Sequence, residues 1–193
     1  MTRRLFLLLF SLSVLACNRA PTAFHSTDLT GAAFARQLSL TDHNGEQRSL
    51  SDFHGKAVVL FFGYTSCPDI CPTMLARLAD VMKSLGDDAA RVQVLFVTID
   101  PERDTLQRIK EFVPWFHPAF LGLRGDVEQT RVITEEFRIF AARKAVDGEL
   151  GYVMDHSSGA YVYDPAGRLR LYLRDSAGVD EIASDIRLLL QGN

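Results

Sequence analysis

The pattern of apolar and polar positions predicts two strands that are buried on both faces. Residues 57–62 (AVVLFF) and residues 92–99 (VQVLFVTI) are almost continuous apolar runs, rich in β-branched and aromatic side chains. Runs of this kind are typical of parallel strands whose sheet is covered by helices. The two runs therefore indicate the centre of an α/β sheet.

Elsewhere the apolar positions either recur at helical spacing or alternate with polar ones. Alternation around the turn Asn44-Gly45 predicts a hairpin from Leu38 to Leu50, and residues 161–163 and 169–173 predict a second hairpin. Helical spacing predicts four helices, through Met74, Leu78, Val81 and Leu85; Leu106, Ile109, Phe112 and Val113; Val132, Ile133, Phe137 and Phe140; and Val179, Ile182, Ile186 and Leu190.

The order of these elements predicts an α/β fold of thioredoxin-like architecture. Parallel βαβ units extended by an antiparallel hairpin pack most simply as a central mixed sheet with helices on both faces. The first predicted hairpin adds an N-terminal β-hairpin to this sheet. We predict one such domain over residues 34–193.

The first 16 residues have the layout of a secretory signal. Arg3 and Arg4 precede an apolar run that is too short for a membrane span of about 20 residues, so cleavage is expected. Residues 14–17 (VLAC) resemble a bacterial lipobox, which predicts a lipid on Cys17; an ordinary signal peptide is the alternative. Residues 17–33 are small, polar and aperiodic, and are expected to form a tether.

The charge of the chain argues against a nucleic-acid partner. The formal net charge is −3, and loss of Arg3 and Arg4 with the signal makes it −5. Export places the protein in an oxidising compartment, where disulfides persist. Once Cys17 carries a lipid, Cys67 and Cys71 are the remaining thiols among the three cysteines.

Residues 63–75 (GYTSCPDICPTML) join the first buried run to the first predicted helix. Pro72 has no amide hydrogen and must lie within the first helical turn, and Cys71 before it is biased toward extended or turn geometry. Cys67 then lies two or three residues before regular helix. Amides of the first turn and the helix dipole favour negative charge, so we expect a lowered pKa for both thiols.

The C-x-x-x-C spacing leaves the role of the two thiols open between a metal site and a disulfide. A disulfide needs Cβ atoms about 3.5–4.5 Å apart, whereas a metal between the sulfurs accepts a wider separation. A soft metal held by thiolates is commonly completed by an imidazole.

A third metal ligand would have to come from elsewhere in the chain. His156 stands in residues 152–159 (YVMDHSSG), where Asp155 and Ser157 can orient its ring. A hydrogen-bonded loop histidine explains it as well. The histidines that are most simply surface or packing residues are His25, His43, His54 and His117.

Three aspartates near these segments have two candidate roles each. Asp69, between the cysteines, is either an exposed loop acid or an outer-shell group that modulates a metal. Asp100 and Asp104 flank Pro101 at a strand-to-helix turn. Helix capping is the first hypothesis for this pair, and support of the cysteine loop is the second.

Four segments, in this order, resemble the Sco/SenC family of copper-binding, thioredoxin-like proteins. They are residues 63–75, 97–105 (VTIDPERDT), 116–125 (FHPAFLGLRG) and 153–168 (VMDHSSGAYVYDPAGR). The resemblance implies one copper ion, as Cu(I) or Cu(II), held by Cys67, Cys71 and His156. Asp69 and Asp155 are candidates for the outer shell. Arg124 stands where the family often has threonine, outside the implied ligand set.

The resemblance further implies a metallochaperone for the dinuclear copper centre of cytochrome c oxidase. The expected partners are cytochrome c oxidase subunit II or its assembly factors, a copper donor and a thiol reductant. Lipid on Cys17 would anchor the protein outside the cytoplasm, at the periplasmic face of the inner membrane.

A thiol–disulfide reductase or redox sensor, with Cys67 and Cys71 as a redox-active disulfide, is the alternative function. Whether the chain is an enzyme therefore stays open. A peroxidase is a third, weaker hypothesis, because Thr65-Ser66-Cys67 is T-x-C whereas peroxiredoxins usually carry T-x-x-C.

Overall fold

The computed structural model describes residues 23–148 and 150–192. Its helices are α1 (Ile70–Leu85), α2 (Leu106–Phe116), α3 (Val127–Glu136) and α4 (Val179–Leu190), with 3₁₀ turns at Leu50–Phe53 and Gly86–Arg91. Its strands are β1 (Thr27–Asp28), β2 (Ser39–Asp42), β3 (Gln47–Ser49), β4 (Ala57–Gly63), β5 (Val92–Thr98), β6 (Leu121–Arg124), β7 (Ala141–Ala145), β8 (Tyr152–His156), β9 (Ala160–Tyr163) and β10 (Leu169–Leu173).

Eight of these strands form one mixed sheet in the order β1-β10-β9-β4-β5-β6-β2-β3. The central strands β4, β5 and β6 are parallel, because α1 and α2 connect them in sequence. The hairpins β2–β3 and β9–β10 extend the sheet with antiparallel pairs on either side. This arrangement confirms the predicted α/β, thioredoxin-like fold with its N-terminal hairpin.

The core lies on both faces of the central strands, and every residue of β4 and β5 is buried. Phe61 pairs with Phe96 in register, and the Phe96 ring packs against Phe112 of α2 with centroids 5.9 Å apart. On the opposite face, the Phe62 ring packs against Phe137, just after α3, at 5.2 Å. Both faces are thus covered, as the unbroken apolar runs predict.

The segment after α3 differs from the sequence prediction of a helix that reaches Phe140. The helix ends at Glu136 because Arg138 has a left-handed backbone with φ of 53°, and Phe140 is 58% exposed. Strands β7 and β8 follow as an antiparallel hairpin that forms a two-stranded sheet of its own. The sequence did not predict this hairpin or strand β6.

The N-terminal part of the described chain lies against the domain. Thr27 pairs with Tyr172 of β10, and the amides of His25 and Ser26 donate to the Asp185 carboxylate at 2.9 Å each. Residues 23–33, which we predicted as the end of a tether, are therefore packed onto the fold.

The predicted signal of residues 1–16 and Cys17 lie outside the described residues. Within the part of the chain that the structure describes, no helix has the length and apolar character needed to cross a membrane.

Candidate metal centre

Two sulfurs lie where β4 leads into α1. Cys67 is half-buried in the connecting loop, three residues before the helix begins, and Cys71 is fully buried in the first turn of α1. A Cβ atom on Gly63 would lie 2.9 Å from Cys71 Sγ, so glycine permits this close approach. The placement of Cys67 and Pro72 follows the prediction, whereas Cys71 is helical rather than extended.

His156 is the last residue of β8, and its ring is fixed from two sides. The ring atom Nδ1 lies 2.8 Å from the carbonyl oxygen of Ser157, and this oxygen can only accept a hydrogen bond. Nδ1 therefore carries a proton, which leaves the lone pair of the neutral ring on Nε2. The buried Tyr64 ring packs edge-on against the imidazole, with centroids 5.9 Å apart.

The fold brings Cys67, Cys71 and His156 together from positions up to 89 residues apart along the chain. One ligand atom from each residue lies within 4.8 Å of the other two. Cys71 Sγ is 3.6 Å from His156 Nε2, and the Cys71 amide donates to Cys67 Sγ at 3.4 Å. The geometry is that of three donors that can converge on one ion.

The two thiols differ sharply in acidity. A hydrogen bond from the Cys71 thiol, assisted by the Asp69 and Cys71 amides against the cost of burial, lowers the pKa of Cys67 to about 3. The pKa of Cys71 is raised, because its S–H donates to Cys67 and because the group is buried. The prediction of a lowered pKa is thus confirmed for Cys67 and wrong for Cys71.

Asp104 holds the cysteine loop in place by hydrogen bonds to Thr65. Its buried carboxylate accepts hydrogen bonds from the Thr65 amide at 3.0 Å, the Thr65 hydroxyl at 2.5 Å and the Thr98 hydroxyl at 2.6 Å. The N-cap of α2 is Thr105, whose hydroxyl accepts from the Arg108 amide. The capping hypothesis for Asp104 was therefore wrong, and the second hypothesis describes its contacts.

Asp100 does not cap a helix either, since it joins the turn after β5 to the β7–β8 hairpin. Its buried carboxylate accepts from Arg103 Nε at 2.5 Å and from the Tyr152 hydroxyl at 2.8 Å. Sequence reasoning missed Arg103, Tyr152 and Tyr64. A signal for Arg103 was present, because it follows a buried strand inside a segment already singled out.

The two acids proposed for the outer shell make no hydrogen bond to the three donors in the part of the chain that the structure describes. Asp69 and Asp155 are both exposed, and among the described residues neither carboxylate is hydrogen-bonded to Cys67, Cys71 or His156. Alternation along β8 turns Asp155 to the side opposite His156. Asp69 contributes its backbone amide to Cys67 instead of its side chain.

Comparison with known proteins assigns this chain to a family. The sequence profile described as SCO1/SenC matches residues 26–191. The bovine protein "Protein SCO2 homolog, mitochondrial" is 38% identical over 152 residues, which is 78% of this chain and 57% of that protein. The match thus spans less than two thirds of the length of this curated relative.

Two solved structures share the fold at comparable identity. The solution structure of apo Sco1 from Thermus thermophilus has a TM-score of 0.77 and 35% identity, covering 88% of this chain and 99% of that one. Bradyrhizobium japonicum ScoI, solved with copper bound, has a TM-score of 0.72 and 34% identity, covering 79% and 97%. With the profile matched over nearly all of the described residues, the chain belongs to the SCO1/SenC family.

Proposed function

We propose that this protein binds one copper ion through Cys67, Cys71 and His156 and delivers it to the dinuclear copper centre of cytochrome c oxidase. The observation that carries the proposal is the convergence of two sulfurs and one imidazole nitrogen within 4.8 Å of one another. The copper-bound structure of a relative with 34% identity supports the choice of metal.

The chemistry of the three donors fits copper better than other common metals. Thiolate sulfur is a soft ligand that selects Cu(I), and imidazole nitrogen extends the site toward Cu(II). A structural zinc site would require a fourth protein ligand. Three protein ligands would leave a coordination position for an incoming donor, which suits a protein that gives up its copper.

Each of the three residues is prepared differently for this role. Cys67 is already a thiolate at neutral pH, because its pKa is near 3. Cys71 holds its proton, so copper binding there releases one proton to solvent. His156 presents Nε2, because the Ser157 carbonyl engages Nδ1.

The proposed partners follow from the family's association with cytochrome c oxidase assembly. Subunit II of the oxidase, or one of its assembly factors, would receive the copper. A separate copper donor would load this protein, and a thiol reductant would keep Cys67 and Cys71 reduced. Lipid on Cys17 would hold the protein at the periplasmic face of the inner membrane.

Thiol–disulfide exchange is the second candidate function, favoured by the unequal acidity of the two thiols. The half-exposed Cys67 thiolate would attack a substrate disulfide and form a mixed disulfide, releasing one substrate thiolate. Cys71 would then displace the second substrate thiolate and close the Cys67–Cys71 disulfide. The substrate disulfide thereby gains two electrons from the protein. An external thiol reductant then supplies two electrons that reduce the Cys67–Cys71 disulfide.

Anaerobic titration of the reduced protein with Cu(I) and with Cu(II) tests the proposal. We expect one copper per protein, a sulfur-to-Cu(II) charge-transfer band, and loss of both affinities in Cys67→Ala and Cys71→Ala. Ser158→Ala, near His156 but outside the donor set, is the matched control. Weak binding that ignores both cysteine substitutions would refute copper carriage and favour the exchange reaction, which a trapped mixed disulfide of Cys71→Ser would detect.

A further inference from the structure

The hairpin that carries His156 is joined to the domain by side chains rather than by strand pairing. Strands β7 and β8 pair with each other and with no strand of the eight-stranded sheet. The two cysteines, in contrast, are attached to β4 and α1 at the centre of the fold. Residues 157–159 join His156 to β9 of the main sheet, and beyond this covalent link the position of the imidazole relative to the sulfurs depends on the side-chain contacts of the hairpin.

Arg103 makes several polar contacts with the hairpin, beside the packing of Ala141 and Met154 against the core. Its Nε donates to Asp100, and its Nη1 donates to the carbonyl oxygens of Tyr152 at 2.9 Å and Leu150 at 3.2 Å. The guanidinium lies 3.6 Å from the centroid of the Tyr152 ring, which is the geometry of a cation–π contact. The Tyr152 hydroxyl closes the group by donating to the other oxygen of Asp100. We call Asp100, Arg103 and Tyr152 the arginine clamp.

The arginine clamp contacts the beginning of strand β8, and His156 lies at the end of the same strand. Tyr152 is the first residue of β8 and His156 is the last. The Arg103 guanidinium also lies 5.6 Å from the centroid of Tyr64, the ring that packs against the imidazole.

The other ion pair between the hairpin and the turn contributes less. Arg143 and Glu102 approach to 2.6 Å, but about half of each side chain is exposed, and exposed pairs contribute little to stability. Arg103 is only 20% exposed and its partner Asp100 is fully buried. The clamp is thus the main polar connection between the hairpin and the turn after β5.

The turn that presents Arg103 is itself fixed by Arg124. Arg124 donates to the carbonyl oxygens of Asp104 and Pro101, each at 2.8 Å, on both sides of Arg103. Arg103 Nη2 is buried and has no hydrogen-bond partner among the described residues. A buried donor without a partner is costly, so stability alone is a poor explanation for an arginine here.

We propose that Arg103 is a positioning residue for the candidate metal centre, which sets where His156 Nε2 lies relative to the two sulfurs. The clamp acts on the protein before any metal is present, and its effect on copper rests on the proposed function. The clamp should matter for Cu(II), which needs the imidazole, and much less for Cu(I), which the two thiolates satisfy.

Hydrogen exchange and NMR on the reduced, metal-free protein form the first arm of the test. In Arg103→Met we expect amides of β7 and β8 to exchange at least about tenfold faster, while amides of β4 and β5 keep their protection. The His156 ring signals should shift as the ring moves relative to Tyr64. Arg131→Met, which removes an exposed ion-paired arginine on α3, is the matched control.

Copper titration forms the second arm. We expect Arg103→Met to weaken Cu(II) binding by about 10-fold or more, with an altered charge-transfer band, and to change Cu(I) binding by less than about threefold. Arg103→Lys keeps the charge but lacks the planar fork, so it should resemble Arg103→Met rather than wild type. Tyr152→Phe removes only one hydroxyl and should give a smaller effect in the same direction.

Two outcomes would overturn the proposal. One is wild-type exchange of β7 and β8 in Arg103→Met, and the other is an equal loss of Cu(I) and Cu(II) affinity. If Arg103→Met does not fold, Tyr152→Phe decides by the same measurements. If the wild-type protein binds no copper, the proposed function fails, while the metal-free measurements still decide whether Arg103 positions His156.

Discussion

The Thr65 hydroxyl donates a 2.5 Å hydrogen bond to the buried Asp104 carboxylate, across 39 positions of the chain. This contact joins the loop that carries Cys67 to the turn that precedes α2. The Thr65 amide and the Thr98 hydroxyl donate to the same carboxylate. One fully buried side chain therefore holds the end of β5 and the cysteine loop together.

Removal of the Asp104 carboxylate should destabilise the protein more than most single substitutions. Asp104→Ala leaves the Thr65 and Thr98 donors without their partner, and we expect a loss of about 3 kcal/mol in the free energy of unfolding. Urea denaturation of the reduced, metal-free protein measures this loss. Asp80→Ala, which removes an exposed pair with Lys83, should change stability by less than about 0.5 kcal/mol. Equal stability of the two variants would contradict this account of Asp104.

His156 and its neighbour Asp155 should differ in their effect on copper. We expect His156→Ala to weaken Cu(II) binding by at least about 100-fold and Cu(I) binding by much less, because the imidazole matters most to Cu(II). Asp155→Ala should leave both affinities within about threefold, since its side chain is exposed on the opposite side of β8. Competition titrations with a chelator of known affinity provide both dissociation constants, and a strong effect of Asp155→Ala would support the outer-shell role predicted for it.

The acidity of Cys67 should be visible in its reaction with iodoacetamide. A thiol whose pKa is about 3 is fully ionised from pH 5 to pH 8, so its alkylation rate should be nearly flat over that range. An ordinary cysteine with a pKa near 8.5 would react several hundred times faster at pH 8 than at pH 5. In Cys71→Ala the principal hydrogen-bond donor is lost, so the pKa of Cys67 should rise and a slope should appear. Mass spectrometry after timed quenching identifies the alkylated residue, and a steep slope in the wild type would disprove the lowered pKa.

Asp42 should make the protein sensitive to acid. Although burial opposes its charge, hydrogen bonds from Arg48 and from the Glu46 and Asn44 amides give a net lowering of the pKa of Asp42. The folded state therefore releases this proton more readily than the unfolded chain. The stabilisation is present above about pH 4 and is lost as the pH falls through the lowered pKa.

Substitution of Asp42 by asparagine tests the direction of this pH dependence. We expect Asp42→Asn to cost about 1–2 kcal/mol at pH 7, because the charge-assisted hydrogen bonds are weakened. The difference from wild type should shrink toward pH 3, as measured by urea denaturation at both pH values. Asp87→Asn, at an exposed position, serves as the control. A difference that grows as the pH falls would contradict the assigned direction.

The sequence predicted those parts of the fold in which local pattern and tertiary environment agree. Strands β4 and β5 are unbroken apolar runs because both faces of the sheet are covered, and Asn44-Gly45 sits in the turn of the β2–β3 hairpin. The β7–β8 hairpin gave no such signal. Residues 141–145 (AARKA) are mostly polar or small, and the sheet that they form covers no core of its own. Its position is set by partners such as Arg103, which no periodicity reveals.

In the candidate site, too, the sequence predicted the features that depend on local residues and missed those that depend on packing. The cysteine pair and Pro72 are neighbours in sequence, so helix-start chemistry places them correctly. The opposite shifts of the two thiol pKa values depend on the hydrogen bond between the thiols and on the burial of Cys71 beside Gly63, which only packing determines. His156 was singled out by its neighbours Asp155 and Ser157, but only resemblance to a family favoured a ligand over a hydrogen-bonded loop histidine, because a single histidine 85 positions from Cys71 does not reveal that the two meet.

The division of the three donor atoms between the β4–α1 junction and the β7–β8 hairpin has a consequence for affinity. For an ion already held by the sulfurs, His156 is an intramolecular ligand whose contribution is its effective concentration at the metal. The placement of the hairpin determines that concentration, and the basicity of the ring does not. A partner that displaces the hairpin would lower it without touching either sulfur. Under the proposed function, capture and release of copper would then use the same three side chains and would differ only in the local concentration of one of them.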